Sequence, residues 1–253
     1  AGSLERAILN AIEKVALHRE LDRHRADLQR SNRELLRFAS VVAHDLQNPL
    51  ATVMTLLRAL RRDLEDGRTG EAVLTRVDDV LGASSRMTEL IRELLEFSRI
   101  GGAARQVQPV SMPDLLQEVA DGLRALREAD GGEVSWGSLP VVHGDPAQLR
   151  QVLQNLIGNG LKYRADAPPQ VRVDCVEQQD AWRFTVSDNG AGIDPSEHQR
   201  VFDAFVRLPE SAHLPGTGLG LAICKKVVEH HGGQIGVESR RGEGTTVWFT
   251  LPK

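Results

Sequence analysis

Leu21, Leu28, Leu35 and Val42 recur at intervals of seven, Leu17 and Phe38 fill intermediate core positions, and charged residues such as Arg19, Glu20, Asp22 and Arg23 crowd the places between. A seam at that spacing predicts a long helix with coiled-coil character. Upstream, Ile8 and Val15 keep the interval one position out of phase, a slip that locally changes supercoil winding. The helix is expected to run on to about Leu64, where Asp66-Gly67-Arg68-Thr69-Gly70 breaks it. A second apolar-periodic stretch follows through Val73, Val77, Leu81, Met87, Leu90, Ile91, Leu94 and Leu95, and ends near Ile100-Gly101-Gly102, where glycine suits a left-handed helix cap. Two long helices and a short turn make an αα-hairpin. One hairpin cannot cover both of its apolar faces, but two can as a four-helix bundle, so a homodimer is expected.

Beyond residue 100 the pattern changes. Small and polar residues up to Pro109 read as a linker. A helix over about 113–128, capped by Ser111, precedes short strands near 133–137 and 141–143. A helix over about 146–164 follows. Val171–Val176 and Trp182–Ser187 alternate and form a hairpin signal. A helix over about 219–231 then stops at Gly232-Gly233, and strands over 234–239 and 245–251 close the chain. Mixed strands and helices in this order predict an α+β sandwich with helices on one sheet face. Trp136, Trp182 and Trp248 are expected to pack in the sheet. His230 and His231 close a helix, where a cationic or polar group suits the negative dipole end.

Composition narrows the function. A formal charge of -4 over 253 residues offers no electrostatic footprint for nucleic acid. Cys175 and Cys224 lie apart without ligand-like spacing, so reduced thiols are expected rather than a zinc site. No apolar run has the length of a membrane helix and no signal peptide is evident. Ala1-Gly2-Ser3 reads as a remnant of an expression tag. A cytoplasmic fragment without membrane contact is expected, its sensor domain lying upstream.

Four groups of residues carry chemistry. The run from Phe38 to Leu50 places His44 beside Asp45, with Asn48 one turn on and then Pro49. Pro49 cannot donate to the carbonyl of Asp45, so a bend below His44 is expected. The run Asn155-Leu-Ile-Gly-Asn159-Gly-Leu-Lys162-Tyr163 puts two asparagines and a lysine on one helix face. Asn159 can offer a carbonyl oxygen to a hard cation such as Mg²⁺, and Lys162 a cation to a phosphate. Asp188-Asn-Gly190-Ala-Gly192-Ile193 ends a strand with an acceptor suited to the exocyclic amine of adenine. Gly216-Thr217-Gly218-Leu219-Gly220 opens a helix, where free N–H groups and the dipole favour phosphate. It lacks the spacing and the lysine of a P-loop. Between the last two groups lies an expected lid, about 195–215, containing Phe202, Phe205 and Arg207.

These boxes, in this order, resemble those of sensor histidine kinases, and the wording around His44 is similar to the kinases that follow PAS or phytochrome sensors. Asn155–Tyr163 resembles the family's N box, Asp188–Ile193 its first glycine box, Val201–Phe205 its F box, Gly216–Gly220 its second glycine box, and the run at His44 its phosphoacceptor box. The resemblance implies a coiled-coil linker over 1–30, a dimerisation and phosphotransfer domain over 31–100, a linker over 101–109 and a catalytic ATP-binding domain over 110–253. It implies ATP and Mg²⁺ held by Asn155, Asn159, Lys162, Tyr163, Asp188, Gly190, Gly192, Ile193, Arg207 and Gly216–Gly220, with Asn159 on the metal. His44 would be phosphorylated and Asp45 would orient it. Asn48 would serve a phosphatase activity toward a response regulator. Gly160 stands where the family usually has alanine, which weakens the helix by up to about 1 kcal/mol and would loosen the site. Two rivals remain. One is an ATPase of the topoisomerase, chaperone or mismatch-repair class, which hydrolyses ATP with a glutamate where this chain has Gln151 and Gln154. The other is a non-enzymatic dimer scaffold.

Overall fold

The computed structural model describes residues 46–47, 49–67, 70–100, 106–209 and 216–253. The coiled-coil seam, the phase slip and three of the four residues singled out around His44 (His44, Asp45 and Asn48) lie outside them; Pro49 lies within them. The chain divides into two compact units, Ala1–Met87 and Thr88–Lys253.

In the first unit, helix α1 (49–65) turns back through Asp66-Gly67 and Gly70 into α2 (Glu71–Arg99), the expected hairpin. Asp63 is buried and takes Nε of Arg76 at 2.6 Å, joining the two helices next to their turn. Leu50, Met54, Leu57 and Leu64 stand exposed at helical spacing on α1, and Leu74 and Leu81 on α2. Among the described residues, no helix is long and apolar enough to cross a membrane.

The second unit holds the last turns of α2 and an α/β sandwich. Its strands are β1 (Gln108–Ser111), β2 (Glu133–Trp136), β3 (Val141–Gly144), β4 (Gln170–Glu177), β5 (Ala181–Asp188), β6 (Ile235–Ser239) and β7 (Thr245–Pro252). Its helices are α3 (Met112–Gly122), α4 (Arg124–Ala129), α5 (Pro146–Lys162) and α6 (Gly220–His230). The main sheet has the order β2-β4-β5-β7-β6, and β1 pairs with β3 in a second, two-stranded sheet. β2 lies parallel to β4, and the remaining pairs of the main sheet are antiparallel.

Alternation along the strands decides the layers. Phe184 and Val186 of β5 and Val247 and Phe249 of β7 are buried, and Phe184 stacks on Phe249 with centroids 5.0 Å apart. They meet the apolar stripe of α5 (Leu149, Val152, Leu153, Leu156, Ile157 and Leu161), which also packs against α3 and α6. Trp136 and Trp182 join this core. Trp248 does not: it lies on the other sheet face, where Gly236 leaves room for its ring and the Arg183 guanidinium sits 4.5 Å from its centroid.

Two local expectations fail. The segment read as a linker up to Pro109 ends in the first two residues of β1, whose pairing with β3 lies out of reach of a local pattern. The single helix expected over 113–128 breaks at Leu123 into α3 and α4, and Ser111 flanks α3 without a side-chain capping bond.

Candidate functional site

Asp145 caps the start of α5, its Oδ1 accepting the N–H groups of Ala147 and Gln148 at 3.0 and 3.2 Å. The buried stripe of α5 turns toward the sheet, which leaves Asn155, Asn159 and Lys162 along one flank, half-buried. Asn155 donates through Nδ2 to the carbonyl of Gly220, the first residue of α6, at 3.1 Å. Lys162 donates through Nζ to the Tyr163 hydroxyl at 3.0 Å. A Cβ built on Gly216 would stand 2.6 Å from that Nζ. The ammonium of the N-box lysine therefore abuts the glycine turn that opens α6. Thr217, in that turn, accepts the Leu219 N–H at 3.2 Å and donates to the Glu93 carboxylate.

Asp188 ends β5 against the C-terminal turn of α5, its Cβ lying 3.1 Å from where a Cβ on Gly160 would be. Oδ1 accepts the N–H groups of Gly190 and Thr245 at 2.9 and 3.1 Å. Burial pushes this carboxyl above the usual carboxylate range, and those two backbone donors pull the other way. The turn after Asp188 is held from two sides. Ala191 donates to the carbonyl of Tyr163 at 3.0 Å, while Gly242 donates to the carbonyl of Ala191 at 2.8 Å. Gly192, at φ 72, passes so close to the β6–β7 turn that a Cβ there would stand 1.9 Å from the carbonyl oxygen of Arg240. No other residue type fits such an approach.

The start of the expected lid forms two 3₁₀ turns, Pro195–Glu197 and Arg200–Phe202, with Val201 and Phe202 of the F box buried. Phe205 adopts φ 65, the only positive φ of a non-glycine among the described residues, and its N–H donates to the carbonyl of Gly218 at 3.0 Å. Strained backbone of this kind persists where neighbours hold it. Here it fastens the end of the F box to the second glycine turn. Arg207 is exposed two residues further on.

The structure thus brings together Asn155, Lys162, Tyr163 and the Gly216–Gly220 turn, and sets Asp188 and Gly190 against the C-terminal end of α5, while Gly192 meets the β6–β7 turn. Three contributors were not singled out from sequence. Ser239 accepts the Ile193 N–H at 2.8 Å and donates to the carbonyl of Gly244 at 2.6 Å. Thr245 steadies Asp188. Asn189 grips the start of β4, accepting from the Gln170 N–H at 2.8 Å and donating to Pro168 at 3.0 Å. The available signal was Gly242-Glu-Gly244 between two strand patterns, a turn that must sit close to something.

The arrangement can seat a flat base against a carboxylate at one end and anionic groups against an ammonium and a helix N-terminus at the other. Residues 144–253 match the family model "Histidine kinase-, DNA gyrase B-, and HSP90-like ATPase", and residues 34–103 match "His Kinase A (phospho-acceptor) domain". The Phytochrome-like protein Cph1 of Synechocystis is 38% identical over 250 residues, 99% of this chain and 33% of that protein. Among solved structures, the mycobacterial sensor histidine kinase MprB is 30% identical at a TM-score of 0.51, covering 58% of this chain and 97% of that one. Full-length ShkA in complex with AMPPNP is 27% identical at a TM-score of 0.61, covering 85% of this chain and 45% of that one. The chain spans about a third of the length of the first curated relatives it matches.

Proposed function

Because the chain belongs to the histidine kinases, with a phospho-acceptor match preceding an ATPase match, we propose that it is the kinase core of a two-component sensor. In this reading ATP binds in the second unit, with Asp188 accepting the adenine amine. Lys162, Tyr163, Arg207 and the Gly216–Gly220 turn hold ribose and phosphates. Asn159 offers its carbonyl oxygen to Mg²⁺. That single amide oxygen suits an ion that draws its other ligands from phosphates and water, and the ion supplies neutralisation of phosphate charge. The observation that carries the reading is the contact of Lys162 with the turn at Gly216 on a chain whose 34–103 region matches a phospho-acceptor domain.

The reaction is a transfer of the γ-phosphoryl group from ATP to His44. A neutral ring nitrogen forms the N–P bond as the bond to the β-phosphate oxygen breaks and ADP leaves. Such transfer depends mainly on positioning and charge neutralisation. Imidazole is largely neutral at cell pH, and Asp45 accepts the proton-bearing nitrogen to orient it. The phosphoryl group then passes to an aspartate of a response regulator, and Asn48 orients a water that hydrolyses that aspartyl phosphate to aspartate and inorganic phosphate. The exposed leucines of α1 and α2 support a homodimer, since an apolar stripe of that kind is ordinarily covered. The domains are read as 31–100 for dimerisation and phosphotransfer and 110–253 for catalysis, with 1–30 and 101–109 as linkers and the sensor upstream.

Incubation with γ-³²P ATP tests this. Acid-labile, alkali-stable label that disappears in His44→Gln is expected. Phosphate release without label would favour the gyrase-like ATPase reading, with which the 144–253 match is shared. Neither label nor release would leave a scaffold. For Asn48, the phosphorylated regulator is mixed with Asn48→Ala, and unchanged dephosphorylation removes that role.

A further inference from the structure

The turn read as the phosphate seat already holds an anion from its own chain. Thr217 lies between Gly216, which abuts the Lys162 ammonium, and Gly218, which is fastened to Phe205. Its hydroxyl donates to the carboxylate of Glu93, on the last turns of α2. Four residues on, the same face of α2 makes a second contact with α6. Lys226 donates to the carbonyl of Phe97 at 2.7 Å, and its ammonium lies 4.3 Å from the Phe97 ring centroid. Ile100, just beyond, is buried in the core. Glu93 and Phe97 thus hold this stretch of α2 to the turn before α6 and to the middle of that helix, within the second unit.

A carboxylate there binds the hydroxyl of a turn that opens a helix and, at Gly216, abuts the Lys162 ammonium, which are features that suit a triphosphate. Glu89 and Glu96 add negative charge on the same stretch of helix. Burial of Glu93 raises its pKa, the Thr217 hydroxyl opposes the rise, the Glu89 and Glu96 charges add to it, and the Arg92 cation lowers it. Like charges at close range in a partly desolvated site repel strongly. A triphosphate and an ionised Glu93 cannot both be seated on this turn at full strength.

We propose that Glu93 occupies the terminal-phosphate end of the nucleotide site, so that seating of residues 88–100 on α6 and binding of a nucleoside triphosphate oppose one another. Glu93 is then a determinant of nucleotide affinity that acts through phosphate charge, and the nucleotide in turn loosens this segment. The inference rests on the ATP reading above.

Equilibrium titration of the full chain with MgATP and, separately, with adenosine tests it. Glu93→Gln keeps an oxygen that Thr217 can reach and removes only the charge, while Glu93→Ala removes both. Both variants are expected to bind MgATP about tenfold more tightly than the parent, with adenosine affinity unchanged within about twofold. Amide exchange over 88–100 is expected to rise when MgATP binds the parent chain. Equal MgATP affinity in all three proteins overturns the proposal, as does an equal gain for adenosine. Parent and variants all failing to bind MgATP would instead remove the nucleotide reading on which it stands.

Discussion

Oδ1 of Asp188 accepts the backbone N–H of Thr245 at 3.1 Å, tying the end of β5 to the start of β7. With the Gly190 N–H on the same oxygen at 2.9 Å, one carboxylate oxygen is spent on backbone, and the other is the one assigned to adenine. Asparagine can keep the first role but presents a donor in the second. Asp188→Asn is therefore expected to hold stability within about 0.5 kcal/mol while weakening MgATP binding by about 1.5–3 kcal/mol, roughly 10–100-fold. Titration calorimetry beside a denaturation curve checks both. A large stability loss would mean that the carboxylate is chiefly structural.

The same carboxyl sets a pH signature. Burial raises the pKa of Asp188, and also that of Glu93. A raised folded pKa means that the folded chain binds more protons than the unfolded chain between the ordinary carboxylate value and the raised one. Stability then falls as pH rises through that window. Asp188→Asn removes one such proton site. Its stability relative to the parent is expected to climb as pH rises from about 4 and to level off above the folded pKa. Unfolding curves across that range decide the sign, and a relative stability that drops with rising pH contradicts the assignment.

Gly160 turns out to be fitted rather than merely permissive. Alanine would improve intrinsic helix propensity by about 1 kcal/mol. Yet its Cβ would stand 2.7 Å from Cγ2 of Val171, a stiff and buried side chain, and 3.1 Å from Cβ of Asp188. The glycine lets α5 approach β4 and β5. Gly160→Ala is expected to lower the melting temperature and weaken MgATP binding several-fold, because Asp188 is among the atoms that must move. A more stable variant with unchanged affinity would show that the backbone absorbs the methyl group freely.

Helix α2, α5, the β4–β5 pair and the closing strands were legible because each carries its own period: 3.6 for the helices and two for the strands. The residues read as a nucleotide site stand out as short runs, since Asn155, Lys162 and Tyr163 lie along the second half of α5 and its cap and the glycines mark tight turns. What was not legible depends on contacts distant in sequence. β1 exists through β3, thirty-odd residues away, and β2 lies parallel to β4 across the whole of α5. Ser239 and Thr245 look like ordinary strand residues until the β6–β7 turn closes on the Asp188 loop. The break at Leu123 interrupts an amphipathic pattern that continues on both sides of it.

His231 sharpens the sequence reading of a cationic or polar group at this helix end. It is buried, and it serves there as a neutral polar group. Nδ1 lies 2.8 Å from the carbonyl of Val227, which makes it the donor, and Nε2 accepts the Asp145 N–H at 3.1 Å. The neutral ring thereby joins the C-terminus of α6 to the cap of α5, the helix that carries Asn155 and Lys162. The expected tautomer carries its proton on Nδ1, and long-range ¹H–¹⁵N correlation spectra report it directly. His231→Phe keeps the volume but leaves the Asp145 N–H without this acceptor, a loss of about 1–3 kcal/mol in chemical denaturation. MgATP affinity should stay within about twofold, because the bonds of Asn155 and Lys162 at the other end of α5 are untouched. A proton found on Nε2, or unchanged stability in His231→Phe, would show that the ring is packing filler and not the link between the two helices.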